Sequence, residues 1–438
     1  MATAPRASGF SPGSRVVILG GGLQGCSTAY FLRQRGFEDV TIVERTGIAA
    51  SSSGKGGGFL ARGWGDGGPT QRLHELSFDL HEELAETLGV ESFHKMPTLQ
   101  VVSELGLREW PPKPKASRRP PRPLAPWLDP EDTRTSLMDD GTAQVVPEEL
   151  CRKLFENSGA KLVLGAVTGL DVDDEGKCSS VQVAPPTPQA PSGAGADVGE
   201  EHEGEEAGCR RVECDVLVVA LGVWTVLLED WMVDRTGLRV PLEGIYSSSM
   251  VFPASDAVSN RPYALFCAED SNGCHLELYP RKDGSLYVCG LGGSLMARGA
   301  DLREGGDFSH AASRTAPNAK SINSAQKSLQ SMLTPSAGVD VQSPAIAQAC
   351  MRPCAPDALP LMGQVPETEN MFVAAGHNCW GILWAPVTGL CMAELIADGA
   401  CSSVDLAPFH PGRFSKPPGK KNRKRGRHAA QEPVGEQW

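Results

Sequence analysis

The stretch Arg15-Val16-Val17-Ile18-Leu19-Gly20-Gly21-Gly22-Leu23-Gln24-Gly25 decides the architecture of this 438-residue chain. Val16 to Leu19 is apolar without alternation, which marks a strand buried on both faces, as in a parallel sheet. Leu23 to Gln34 follows with helical apolar spacing that ends near Gly36, and Val40 to Glu44 is a second buried strand. This βαβ unit begins a doubly wound sheet with a right-handed crossover and a ligand crevice at the strand carboxyl ends. Gly20, Gly22 and Gly25 give the spacing GxGxxG between strand and helix. Gly20 permits the tight turn, Gly22 lets a pyrophosphate touch the backbone, and Gly25 lets helix and strand approach. The helix N-terminus at Leu23 and Gln24 offers amide hydrogens and partial positive charge to phosphates. Glu44, nineteen residues past Gly25, stands where it would accept hydrogen bonds from a ribose diol.

The chain is too long for one core, since single cores stop growing at roughly 250–300 residues, so two domains are expected. A composition of 40% hydrophobic and 21% charged residues predicts that most of it folds. The net charge of −12 argues against nucleic acid or an anionic membrane as principal partner. Thirteen cysteines without a CxxC pair or metal-like spacing read as reduced thiols, so no metal site is expected. The longest apolar run, Val216 to Trp224, is strand-sized, which predicts no membrane span. Met1 to Gly13 lacks the apolar stretch of a secretory signal, so the cytoplasm is the expected compartment, with an organelle as alternative.

Outward from the fingerprint, residues 47–68 hold nine glycines and read as a loop lying close to a ligand. Leu73 to Leu88 is helical. Trp110 to Pro130, crowded with proline and basic residues, reads as an extended, poorly ordered insertion. A helix at Glu148–Asn157 and strands at Lys161 to Val167 and beyond, Ser180 to Val183 and Asp215 to Leu221 follow, interrupted by a Pro/Gly-rich and acidic loop at 184–208. Ile245 to Phe252, His275 to Tyr279 and Ser285 to Cys289, with a turn at Lys282-Asp283-Gly284, predict an antiparallel sheet. A polar helical region at 320–333, a strand at Met371–Ala375 and a helix at Val387–Ala397 complete the pattern. The basic tail, Lys416 to Arg427, reads as a solvated terminus, with a nuclear-localisation or anionic-surface role as the alternative.

The fold class expected is therefore α/β (α+β overall), a discontinuous Rossmann-type domain with a second, antiparallel β-rich substrate domain. The expected division assigns residues 14–95, 141–226 and 341–408 to the first, 96–140 and 227–340 to the second, and 409–438 to the tail.

The fingerprint does not separate FAD from NAD. Val16 to Gly25, with Ala29, Leu32, Gly36 and Val43-Glu44-Arg45, resembles the opening of the FAD-dependent D-amino-acid oxidase, glycine oxidase and sarcosine oxidase superfamily. Ala50-Ser51 with Gly57-Gly58 resembles that family's loop along the FAD pyrophosphate and ribityl chain. Ala220-Leu221-Gly222-Val223-Trp224 resembles its late nucleotide-domain strand, and Tyr279-Pro280-Arg281 with Asp283-Gly284 its substrate-domain hairpin. Arg352-Pro353, Pro356-Asp357, Pro360, Gly363, Gly376-His377 and Gly381 resemble its final segment.

The resemblance implies FAD as cofactor and an amine or amino acid as substrate. It implies that Gly376, His377, Gly381, Ile382 and Leu383 lie against the isoalloxazine ring and that Val167 offers backbone contacts to adenine. On the residues alone, Gly376-His377 also reads as a loop turn with a satisfied surface imidazole. By the same resemblance Arg352 binds a substrate carboxylate, with a structural ion pair to Asp357 as the alternative. Cys350, seven residues before Asp357, takes the place of a cysteine that sarcosine-oxidase-like members bond to the flavin, although a buried free thiol is the plainer reading. No counterpart is found for the aromatic residues or lysine that particular amine oxidases place over the flavin. Tyr246 and Tyr279 are pocket candidates for which sheet packing is the plainer reading.

The activity expected is hydride transfer from an amine-bearing carbon, with O2 as acceptor and no catalytic acid or base assigned. A dehydrogenase using another acceptor, an NAD-dependent dehydrogenase and a non-catalytic flavin-binding protein are the alternatives.

Overall fold

The computed structural model describes residues 9–65, 67–103, 124–186, 209–232, 237–308 and 316–415. Most of the acidic loop, the greater part of the proline-rich insertion and the basic tail lie outside the described residues.

Val16–Leu19 is the centre of a six-stranded sheet. Its parallel neighbours are Val40–Glu44, followed outward by Lys161–Leu164, and Val216–Val219, followed by Met371–Ala375. Leu361–Gln364 closes the edge antiparallel to Met371–Ala375. The chain leaves Val16–Leu19 for one side and returns later on the other, so strand order reverses at the carboxyl end of this strand, where such sheets bind ligands.

Alternation along the first strand distributes two cores. Val16 and Ile18 face the helices Leu23–Gln34, Pro147–Ser158 and Ala385–Asp398, while Val17 and Leu19 face the opposite layer. That layer is a three-stranded antiparallel sheet, Ala166–Val172, Cys178–Ala184 and Arg210–Glu213.

A larger sheet runs in the order Leu295–Ala297, Glu243–Phe252, Leu286–Cys289, Glu277–Pro280, Ala264–Cys267, Thr98–Ser103, Thr133–Asp139, with Ile346–Cys354 also paired to Glu243–Phe252. It is antiparallel except where Ala264–Cys267 meets Thr98–Ser103. Its inner face packs Leu276, Leu278, Leu286 and Val288 against the helix Ala319–Met332. A small third sheet joins Phe59–Ala61, Thr142–Gln144 and His94–Lys95.

Three expectations need correction. Residues 161–167 are not one strand: the chain bends at Gly165, where an added Cβ would meet Val183 Cγ1 and Ala184 O at 2.5 Å, so Lys161–Leu164 and Ala166–Val172 join different sheets. Residues 346–354, grouped with the nucleotide-binding segments on sequence, form a nine-residue strand of the larger sheet in register from Glu243↔Cys354 to Val251↔Ile346. The end of the insertion is not loose. Trp127 and Leu128 are buried, and Trp127 Nε1 donates to the Arg261 carbonyl at 2.9 Å.

Candidate active site

The turn Gly20–Gly22 is shaped by its neighbours. Gly20 has φ 108°, and a Cβ there would lie 2.4 Å from the Ala220 carbonyl oxygen. A Cβ on Gly25 would come within 2.0 Å of Gly20 O, so this glycine sets the helix–strand contact and is not on the ligand side. At Gly22 the added carbon would meet the Ser53 hydroxyl at 2.9 Å and otherwise space. Ser53 also accepts the Leu23 amide at 2.9 Å, tying the start of the helix to the glycine-rich loop. That loop folds as a helical turn, Ser52–Lys55, followed by the strand Phe59–Ala61. Glu44 accepts the Gly21 amide at 2.8 Å and the Thr46 amide at 2.9 Å, so its carboxylate braces the turn from the end of its strand.

These elements bound a cavity of about 1110 Å³. Of the residues singled out on sequence, Gly20, Gly22, Leu23, Gln24, Glu44, Arg45, Ala50, Ser51, Gly57, Gly58, Val167, Gly222, Cys350, Arg352, Gly376, His377, Gly381 and Ile382 line it. Gly25 and Leu383 do not. Leu383 is buried, and its carbonyl accepts hydrogen bonds from Ser77 Oγ (2.5 Å) and His81 Nε2 (3.1 Å). Both come from the helix Gln71–Leu88, which thereby holds the Ile382–Leu383 backbone in place. Carbonyls only accept, so His81 carries its proton on Nε2. Burial pushes its pKa down to about 4.

His377 is not a surface residue. The residue is 2% exposed, its ring is hydrogen-bonded to Thr388 Oγ1 at 3.0 Å, and burial lowers its pKa to about 3, keeping it neutral. Gln24 Nε2 donates to Gly381 O at 2.7 Å, linking the fingerprint helix to the last segment of the cavity wall, while its buried Oε1 has no partner among the described residues.

The far wall comes from the larger sheet. Phe266, Glu277, Tyr279, Tyr287 and Cys289 face the cavity, joined by Phe59, Trp64 and Trp380 from other segments. The rings form a continuous run: Phe59 stacks on Tyr279 at 5.3 Å, Tyr279 on Tyr287 at 6.1 Å, and Trp64 lies 5.3 Å from Phe266 and 6.2 Å from Trp380. Tyr279 is thus a wall residue. Tyr246 is not, since its hydroxyl donates to the Ala316 carbonyl and its ring packs on Phe308.

Charges are sparse here. Arg352 lines the cavity, and Asp357 is not its partner: Arg413 grips Asp357 through both carboxylate oxygens at 2.7 and 3.0 Å. Cys350 sits on the same strand with its thiol pKa raised by burial, although Lys55 and Arg352 oppose that rise. Lys55 Nζ donates to Ala349 O at 3.3 Å, and burial lowers its pKa. Phe266, Tyr287 and Glu277 were not legible as site residues, because each belongs to a different strand and only the sheet register brings them together, while Lys55 and Trp64 fell inside the glycine-rich loop without being singled out. The alternation His275, Glu277, Tyr279 was the one available signal.

The site fits a dinucleotide. One end has a glycine turn, a helix N-terminus and a terminal acid, and Gly222, with nothing within 4 Å of an added Cβ, leaves space beside it. Among the described residues no cluster could hold a metal ion, and no helix is long and apolar enough to cross a membrane.

Comparison with known proteins agrees. A Schizosaccharomyces pombe protein named as an oxidoreductase is 27% identical over 92% of this chain and 99% of its own length. Glycine oxidase of Pseudomonas putida is 24% identical, over 91% of this chain and 98% of its own. Among solved structures, glycine oxidase of Geobacillus kaustophilus superposes with a TM-score of 0.66 at 20% identity, covering 92% of this chain and 99% of that one. L-amino acid deaminase of Proteus vulgaris gives 0.67 at 18% identity, covering 94% and 100%. The family described as FAD dependent oxidoreductase (DAO) matches residues 15–395. The cofactor of this fold is FAD, and the chain belongs to the DAO family of FAD-dependent oxidoreductases.

Proposed function

We propose that this protein oxidises a small amino acid or amine, using O2 as electron acceptor. The observation that carries the reading is the continuity of one cavity from the glycine turn to an aromatic wall bearing Arg352 and Glu277. The relatives named glycine oxidase and L-amino acid deaminase support it.

In this reading Gly20, Gly22, Leu23 and Gln24 hold the pyrophosphate, Gly25 sets the helix behind it, and Glu44 with Arg45 meets the ribose. Ala50, Ser51, Gly57, Gly58 and Gly222 line the path of the chain between the two rings, with Val167 at the adenine. Gly376, His377, Gly381 and Ile382, backed by Leu383, support the flavin ring. Bound FAD supplies a two-electron acceptor for a hydride leaving the substrate carbon. The protein positions that carbon: Arg352 offers a two-pronged donor to a carboxylate. The aromatic wall excludes water and leaves an apolar surface for the substrate body. Neutral His377, bonded to Thr388, fixes the Gly376–Gly381 backbone and carries no charge into the site. Cys350, on the cavity wall, is the residue we propose for covalent attachment of the cofactor. The compartment proposed is the cytosol, in keeping with thirteen cysteines that form no disulfide.

The test is anaerobic mixing of the purified protein with amino acids, N-methyl amino acids and polyamines, followed by admission of oxygen. The reading predicts that at least one bleaches the flavin and that oxygen restores the colour. Failure of every amine would overturn it, and bleaching that only dyes or quinones reverse would replace O2 with another acceptor.

A further inference from the structure

The larger sheet carries one carboxylate onto the cavity wall. Strand alternation turns Leu276, Leu278, Leu286 and Val288 into the core, and Glu277, Tyr279, Tyr287 and Cys289 toward the cavity. Glu277 stands opposite Phe266 on one neighbouring strand and Cys289 on the other. Its Oε2 accepts hydrogen bonds from the Tyr279 hydroxyl and, at 3.5 Å, from the Cys289 thiol. The carboxylate is therefore fixed in direction by its own sheet. Arg352 faces the same space; burial opposes its charge, and the Glu277 carboxylate is among the groups that favour it.

A carboxylate on an aromatic wall is costly unless a cation meets it, and aromatic faces beside it add to the attraction for a positively charged nitrogen. Neither the glycine turn nor the phosphate path uses this anion. A second charge of opposite sign on the same wall fits a ligand that carries both signs. We propose that Glu277 receives the positively charged nitrogen of the substrate while Arg352 receives its carboxylate. Amino acids and N-alkyl amino acids then make both contacts, whereas plain amines and plain carboxylic acids still bind, more weakly, through one contact each. The inference rests on the reading of the cavity as the substrate site. A ligand that lacks the nitrogen leaves the desolvated Glu277 with one contact unmade, and discrimination by an unmet polar group exceeds discrimination by shape.

The experiment uses the full-length holoprotein and two probes, benzylamine for the cation and benzoate for the anion. Binding is followed by perturbation of the flavin spectrum and, independently, by quenching of tryptophan fluorescence, because Trp64 and Trp380 line the same cavity. Glu277→Gln is expected to raise the dissociation constant of benzylamine about tenfold or more, as loss of a hydrogen bond to a charged group would, and to leave benzoate as tight or tighter. Glu277→Asp, which keeps the charge, is expected to restore most of the benzylamine affinity, and Arg352→Gln to weaken benzoate selectively. Circular dichroism and flavin content check folding. If Glu277→Gln does not fold, Tyr279→Phe, which removes only the hydroxyl that orients the carboxylate, is expected to show the same selective loss in milder form. Unchanged benzylamine affinity, equal weakening of both probes, or no benzylamine binding by the unmodified protein overturns the assignment of Glu277. Absence of flavin overturns the reading of the cavity instead.

Discussion

Gly22 and Gly25 belong to one motif yet serve different ends. At Gly25 the obstacle is the Gly20 carbonyl, 2.0 Å from an added Cβ, so Gly25→Ala should push helix from strand and cost about 1–3 kcal/mol of stability, read as a lowered denaturation midpoint. At Gly22 the obstacle is one side-chain hydroxyl, so Gly22→Val should fold but emerge without FAD, since its branched side chain fills the space beside the turn. Full FAD retention in Gly22→Val would remove the turn from the cofactor site. Glu44→Ala should be intermediate. It removes the carboxylate proposed to meet the ribose, and hydrogen bonds to a charged group contribute about 1.5–3 kcal/mol, so the FAD dissociation constant should rise by tenfold or more in an equilibrium titration. His81 gives a pH test. Free histidine titrates near 6.5, whereas buried His81 titrates at about 4, so the unfolded chain binds a proton that the folded one refuses. The stability this residue gives is complete above pH ~6.5 and is lost as pH falls from there toward about 4. Thermal midpoints of His81→Gln should therefore fall less steeply than those of the unmodified protein over that window. Parallel profiles would show that His81 is not the buried neutral group described.

At the scale of elements, what was legible followed from local pattern. Val16–Leu19, Val40–Glu44 and Met371–Ala375 are apolar runs bounded by glycine or charge, and they lie in the central sheet as read. Ile346–Cys354 escaped because its exposed end and its Pro353 and two cysteines give no clean alternation, although Ala349 and Met351 are buried by the pairing with Glu243–Phe252. The pairing matters for chemistry, since it brings Cys350 and Arg352 to the cavity from the larger sheet. A covalent link from this strand to the cofactor would show on acid precipitation. Yellow colour retained in the pellet and lost in Cys350→Ser is the expected result, and flavin wholly released to the supernatant would mean that Cys350 is only a buried thiol.

At the scale of the molecule, the glycine-turn end of the cavity was readable and the aromatic end was not. The turn, the helix N-terminus and Glu44 sit within thirty residues of one another, so spacing alone relates them. Phe59, Trp64, Phe266, Glu277, Tyr287 and Trp380 span more than three hundred residues and meet only through the register of two sheets. Arg352 and Cys350 were singled out by likeness to a family segment, and the alternative for Arg352 could be weighed only once Asp357 was seen paired to Arg413. The central claim joins both ends: one cavity holds FAD and an amino-acid-like substrate together. The most direct measurement is the visible spectrum of the purified full-length protein, recorded anaerobically before and after addition of a panel of amino acids and N-methyl amino acids. The account predicts one flavin per chain, bleached by at least one of them and unaffected by NADH. Colourless protein, or a flavin that NADH reduces and no amine touches, would contradict it.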